Sequence, residues 1–107
     1  MSARVEIKVA EPGTFGPGES RLLEYGDRRV ALFNVGGTVF AVDDRCPHRA
    51  GPLSEGYLDG FLITCPWHGW QYDVRDGRCD TFSSKSVATY PVRVDEEGVF
   101  VTLPAAP

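Results

Sequence analysis

Histidine and cysteine are scarce in this 107-residue chain, which has two of the first and three of the second. Three cysteines are too few for the paired framework of a small secreted domain, so a reducing, cytoplasmic setting is expected. No apolar run approaches the roughly 20 residues of a membrane helix. The N-terminus lacks the charged-then-apolar order of a secretory leader, and Arg28-Arg29 lies inside a strand pattern with no export segment behind it. Excess positive charge is missing too. A net charge of −4 speaks against nucleic acid or an anionic membrane as partner, since both attract basic surfaces. The mild acidity serves solubility, or steers the chain towards basic docking faces.

What histidine and cysteine there are is concentrated. Cys46-Pro47-His48 is followed, after sixteen residues, by Cys65-Pro66-Trp67-His68. These half-motifs, Cys-x-His and Cys-x-x-His, hold both histidines and all but one cysteine, each with proline directly after the cysteine. Core residues would not sort themselves this way, and the pattern reads as a metal site. Thiolate and imidazole suit zinc or an iron–sulfur cluster. One residue between Cys46 and His48 is tight for two ligands on a single tetrahedral ion, because zinc knuckles space theirs two to four apart. The difficulty disappears if each loop spans a two-iron cluster, its cysteine on one iron and its histidine on the other. That is the ligand set of a Rieske centre. A zinc-binding structural domain is the alternative.

Cys79, the odd cysteine, reads as a small apolar residue, with a reactive thiol the minority reading. No histidine is left over to act as a base, and no other constellation points to catalysis.

The rest of the chain reads as β. Val5, Ile7 and Val9 alternate with charged residues, giving a half-buried strand. Residues 11–19 hold two prolines and three glycines and read as loop. A short strand spans residues 21–25. Strands over 29–35 and 38–43 flank Gly36-Gly37, a two-residue hairpin signal, and are apolar enough to be central. Shorter strands are expected at 57–58 and 61–64 around an Asp59-Gly60 turn, and at 70–74 before Asp76-Gly77. A closing hairpin pairs residues 87–95 with 98–103 across Glu96-Glu97, and the Pro-Ala-Ala-Pro tail is expected to fray. No repeat or linker interrupts residues 1–107, which read as a single all-β domain.

The chain resembles the Rieske ferredoxin family. The four-ligand motif carries the resemblance, with Pro47, Gly51 and Leu53 in the first loop and Pro66, Trp67, Gly69 and Trp70 in the second. Tyr90-Pro91-Val92-Arg93-Val94 and Gly98-Val99-Phe100-Val101 extend it over most of the chain. The resemblance implies an antiparallel β-sandwich with a small inserted cluster-binding subdomain at about residues 44–75. It implies one [2Fe–2S] cluster held by Cys46, His48, Cys65 and His68, with the two imidazoles as the electron's exit. The role implied is that of an electron carrier, not an enzyme, taking one electron from a flavin-dependent ferredoxin reductase to a terminal oxygenase of the aromatic-ring dioxygenase type. Transient docking near His48 and His68, and a monomeric state, are expected with it. The small Rieske-like subunit of a cytoplasmic nitrite reductase is the rival within the family.

Histidine ligation leaves the oxidised cluster less negative than four cysteines do. This raises the potential to about −150 to +300 mV, against about −400 mV for plant-type ferredoxins. High-potential respiratory relatives add a disulfide between the two loops and a serine donor. The matching positions here are Gly51, Trp67 and Trp70, which predicts a value near the low end. Tyr72 matches a tyrosine that donates to a cysteine sulfur in those relatives, and reads equally as a core aromatic. Residues 81–85, the cover loop, lack the proline many relatives carry. Arg45, Arg49, Asp43, Asp44 and Glu55 read as solvated loop charges. Pro52, Pro66 and Trp67 could form an apolar rim for a transient contact.

Overall fold

The fold follows from one strand whose two faces are both apolar. β3 (Arg28–Val35) runs Arg-Arg-Val-Ala-Leu-Phe-Asn-Val, and Val30, Ala31, Leu32 and Phe33 are all fully buried. A strand that alternates apolar and polar can cover one core. One that is apolar at every position must sit between two. The computed structural model describes residues 3–45, 51–67, 69–80 and 86–105. Within them β3 lies inside a four-stranded antiparallel sheet, between β2 (Ser20–Tyr25) and β4 (Thr38–Asp43), with β8 (Thr89–Tyr90) beyond β4. The Gly36-Gly37 hairpin forms as expected. Val35 faces Thr38, and both glycines take the positive φ (61° and 101°) that a two-residue turn demands.

Val30 and Leu32 point to a core shared with a second sheet, which is built from β1 (Arg4–Ala10), β10 (Gly98–Pro104) and β9 (Val92–Asp95) in that order. Val99, Val101 and Leu103 meet them there, with Val5, Ile7 and Val9 of β1 packed alongside. Ala31 and Phe33 point the other way. They join Leu53, Ile63, Cys65, Tyr72, Val74, Cys79 and Val87 in a separate core. That core is roofed by a third antiparallel sheet, β5 (Tyr57–Asp59), β6 (Leu62–Thr64) and β7 (Gln71–Asp73), and by a single 3-10 turn at Leu53–Glu55. Cys79 lies buried in this second core, facing Tyr72 in an isolated bridge, as a small apolar residue would.

Three expectations need correction. Residues 87–95 do not make one strand. β8 pairs with β4 in the first sheet, β9 pairs with β10 in the second, and the chain changes sheets at Pro91. Proline has no N–H to continue a ladder, and here its carbonyl alone is used, accepting from Thr102 N–H at 3.0 Å. The turn before β6 is Gly60-Phe61, with Asp59 already in strand, because Gly60 takes the positive φ of 59° at the first turn position. Phe61 then packs edge-on against Phe40, under the Arg75 guanidinium, which also forks onto Asp73 and holds that carboxyl below its usual value. Finally, the terminal tail is not all frayed. Pro104 faces Arg4 within the sheet, and Ala105 donates to the Ala3 carbonyl at 3.0 Å.

Truncating a side chain between the sheets leaves a cavity that rigid strands cannot fill. Leu32→Ala should lower unfolding stability by about 2–5 kcal/mol. Leu22→Ala on β2, 40% exposed, should stay within about 1 kcal/mol. Urea melts of the two variants read this directly.

Candidate metal centre

Both ligand loops leave the third sheet and its neighbours through narrow necks. The second loop is the tip of the β6–β7 hairpin. Thr64 pairs with Gln71, Cys65 N–H donates to the Trp70 carbonyl at 2.8 Å, and Gly69 N–H returns to the Cys65 carbonyl at 3.0 Å. Pro66 turns the chain out of the sheet and Gly69, at φ 76°, turns it back. The first loop is closed where Arg45 bridges Pro52 and Leu53 N–H donates to the Asp44 carbonyl at 2.7 Å. Short closed loops of this kind hold side chains at their tips with little entropy left to lose.

The loops meet at Gly51. A methyl group built on its Cα would stand 2.8 Å from Cys65 Sγ and 3.2 Å from the Trp67 ring. The first loop's backbone therefore lies directly on the second loop's sulfur, and only glycine leaves that space open. Cys65 is 1% exposed and belongs to the core beneath the loop. Of the four expected ligands it alone falls within the described residues; Cys46, His48 and His68 lie outside them, as do Arg49 and the cover loop 81–85. Among the described residues no group of three or more metal-ligating side chains gathers, and neither Cys65 nor Cys79 is in a disulfide.

Around Cys65 the surface is aromatic. An open cleft of about 640 Å³ is bordered by Glu55, Tyr57, Cys65, Pro66, Trp67 and Gly69. The Trp67 ring lies against Gly51, yet it is 63% exposed, as a rim residue would be. Tyr57, at 71%, is the more exposed of the two, although its strand position alone does not mark it out. Its signal was the alternation along β5, where Tyr57 and Asp59 face out and Leu58 faces in. Asp44 corrects a second expectation. It is not solvated but fully buried, with the Ser54 N–H donating to its Oδ1 at 2.7 Å. Tyr72 is fully buried in the core beneath the loops, beside Cys65.

The donor set in the sequence and the close approach of the Gly51 backbone to Cys65 Sγ both suit a sulfur-ligated cluster. Comparison with known proteins decides the matter, for residues 5–91 match the Rieske [2Fe-2S] domain. The chain belongs to this family. The Rieske chain is 39% identical, over 72% of its length and 74% of the relative's, to the 3-phenylpropionate/cinnamic acid dioxygenase ferredoxin subunit of Escherichia coli K12. A chain in the complex of reduced oxygenase and oxidized ferredoxin in carbazole 1,9a-dioxygenase superposes with TM-score 0.84 at 33% identity, covering 90% of this chain and 91% of that one. A Mycobacterium tuberculosis protein assigned as the small subunit of an NADH-dependent nitrite reductase superposes with TM-score 0.86 at 27% identity, covering 97% and 99%. The protein is thus a ferredoxin with a single [2Fe–2S] cluster, an electron carrier and not itself a catalyst, and the zinc alternative is set aside. No helix among the described residues is long and apolar enough to cross a membrane.

The Gly51 contact can be tested directly. Gly51→Ala pushes a methyl group into Cys65 Sγ and the Trp67 ring, so the variant should be isolated with less than half the wild-type iron and acid-labile sulfide per chain. Chemical iron and sulfide assays on freshly purified protein measure it.

Proposed function

We propose that this protein carries single electrons from a flavin-dependent ferredoxin reductase to a terminal oxygenase of the ring-hydroxylating dioxygenase type, as a cytoplasmic monomer. The observation that carries the reading is the Gly51–Cys65 contact, which brings two loops bearing Cys-x-His and Cys-x-x-His together on a chain with no other reactive constellation. Cys46 and Cys65 would ligate one iron of the cluster, and His48 and His68 the other. The bound cluster supplies a reversible one-electron couple. Everything else is the work of the chain's own residues.

Pro47 and Pro66 restrict the backbone after each cysteine, which lowers the entropy lost when the ligands are ordered. Cys65 is kept dry by Gly51 and the core beneath, and a sulfur shielded from water stays available to the metal. Tyr57 and Trp67, with Pro66 lining the same cleft, supply an exposed apolar rim. Rims of this composition suit brief contacts, because aromatic rings bury much area at little entropic cost. His48 and His68 would be the exit to the docked partner. Charged groups near the necks, Arg45 and Glu55 among those exposed, would set its orientation.

The dioxygenase assignment is favoured over the nitrite reductase small subunit by the 39% identity to a dioxygenase ferredoxin subunit, against 27% for the nitrite reductase protein. An aromatic acid or polycyclic aromatic compound is the class of final substrate named for the oxygenase relatives. Reconstitution tests this: with a reductase and a ring-hydroxylating oxygenase added, the protein should restore NADH-dependent oxygenation. Support of sirohaem-dependent nitrite reduction instead would favour the rival.

Two measurements bear on the ligands and the tuning. His48→Cys or His68→Cys should abolish the Rieske-type electron paramagnetic resonance signal of the reduced protein even where some cluster survives, and an unchanged spectrum would remove that residue from the ligand set. Protein-film voltammetry should place the potential near the low end of the class range of about −150 to +300 mV, because no disulfide or serine donor is present at positions 51, 67 and 70. A value well above 0 mV would contradict that account of the tuning.

A further inference from the structure

We propose that Asp44 is a positioning residue for the cluster. Its buried carboxylate accepts the Ser54 N–H and so holds together the two ends of the loop that carries Cys46 and His48. The inference rests on the ligand assignment above.

Asp44 directly follows β4, and every polar group it has is engaged. Its N–H donates to the Arg29 carbonyl at 2.8 Å, which keeps it in line with the central sheet. Its carbonyl accepts the Leu53 N–H at 2.7 Å, and its Oδ1 accepts the next one, from Ser54, also at 2.7 Å. Its Oδ2 lies 3.4 Å from Nε of Arg29, whose side chain is 35% exposed. Leu53 and Ser54 open the 3-10 turn, and the first N–H groups of any helical turn have no partner within it. Asp44 supplies a partner for two of them in succession. Any residue could offer the carbonyl. Only a short side chain ending in an acceptor could offer the second bond.

Between these anchors lies the ligand loop. Arg45 and Pro52 pair across its neck, and Gly51 at its far end rests on Cys65 Sγ. A slip of the 3-10 turn against β4 would therefore carry Gly51 off the sulfur and change where the loop's ligands sit. For stability alone a carboxylate is a poor choice here. A fully buried charge with one short N–H bond and one long contact to a half-exposed guanidinium loses more in desolvation than an apolar side chain of the same size. What an apolar residue cannot do is register the turn against the strand.

The experiment compares Asp44→Asn, Asp44→Ala and Arg29→Gln, with His48→Cys as a ligand control, all purified with cluster in place. Asn keeps an oxygen that can accept from Ser54, so Asp44→Asn should match wild type in iron per chain, in the resonance signal of the reduced protein and in the rate of bleaching. Arg29→Gln removes only the long contact and should match as well. Asp44→Ala should hold less than half the iron, bleach at least tenfold faster, and show a shifted or broadened resonance in the fraction that keeps its cluster. A loss of folding stability alone would leave that resonance unmoved.

Wild-type loading, bleaching and resonance in Asp44→Ala would overturn the proposal. So would an Asn variant as defective as Ala, which would assign the effect to charge. If Asp44→Ala does not fold, amide hydrogen exchange on the wild type and Asp44→Asn decides. A protected Ser54 amide in both supports the brace, and an unprotected one in the wild type overturns it. His48→Cys separates the two layers of inference. If its resonance changes while that of Asp44→Ala does not, the ligands stand and the brace falls; if neither changes, the ligand assignment fails with it.

Discussion

One strand, buried on both faces, holds two cores in register. Val30 and Leu32 of β3 belong to the core between the sheets, while Ala31 and Phe33 belong to the core under the ligand loops. Because side chains alternate with a strict period of two, a slip of one residue in β3 would exchange the two sets and damage both cores at once. The position of Cys65 is thus tied to the sandwich by adjacent residues of a single strand. The chain pairs extensively across its middle, β2 to β3 and β3 to β4, with the inserted sheet resting on the far face.

On that platform the cluster site is a matter of closed necks. Each loop departs and returns through a few backbone hydrogen bonds. They meet where a glycine lets one backbone lie on the other's sulfur. The aromatic surface formed by Tyr57 and Trp67 lies beside this contact, so the proposed docking rim and the loops share their supporting elements.

Much of this was legible in the residues. The family and its cluster could be read because metal chemistry demands particular side chains at particular spacings, and few other pressures do. The central hairpin could be read because Gly36-Gly37 and the unbroken apolar run of residues 30–33 each have a direct physical meaning. What escaped depended on distant partners. Asp44 looks like any charge in a polar loop until Ser54 is seen to donate to it. Residues 87–95 look like one strand, since only the neighbours of β4 and β10 reveal that Pro91 carries the chain from one sheet to the other. Tyr57 lies in a strand as expected, but its exposure depends on which face the sheet covers.

The pairing of β1 with β10 joins the two extremes of the described chain, Arg4 opposite Pro104. Every strand of the other two sheets lies between β1 and β10 in the chain. Contacts so far apart along the chain close slowly, because the intervening loop entropy is lost before they form. Both ligand loops emerge before that closure. The core beneath those loops is built from residues 31–87 alone, so it can close before β1 meets β10, and sealing the core between the sheets would come last.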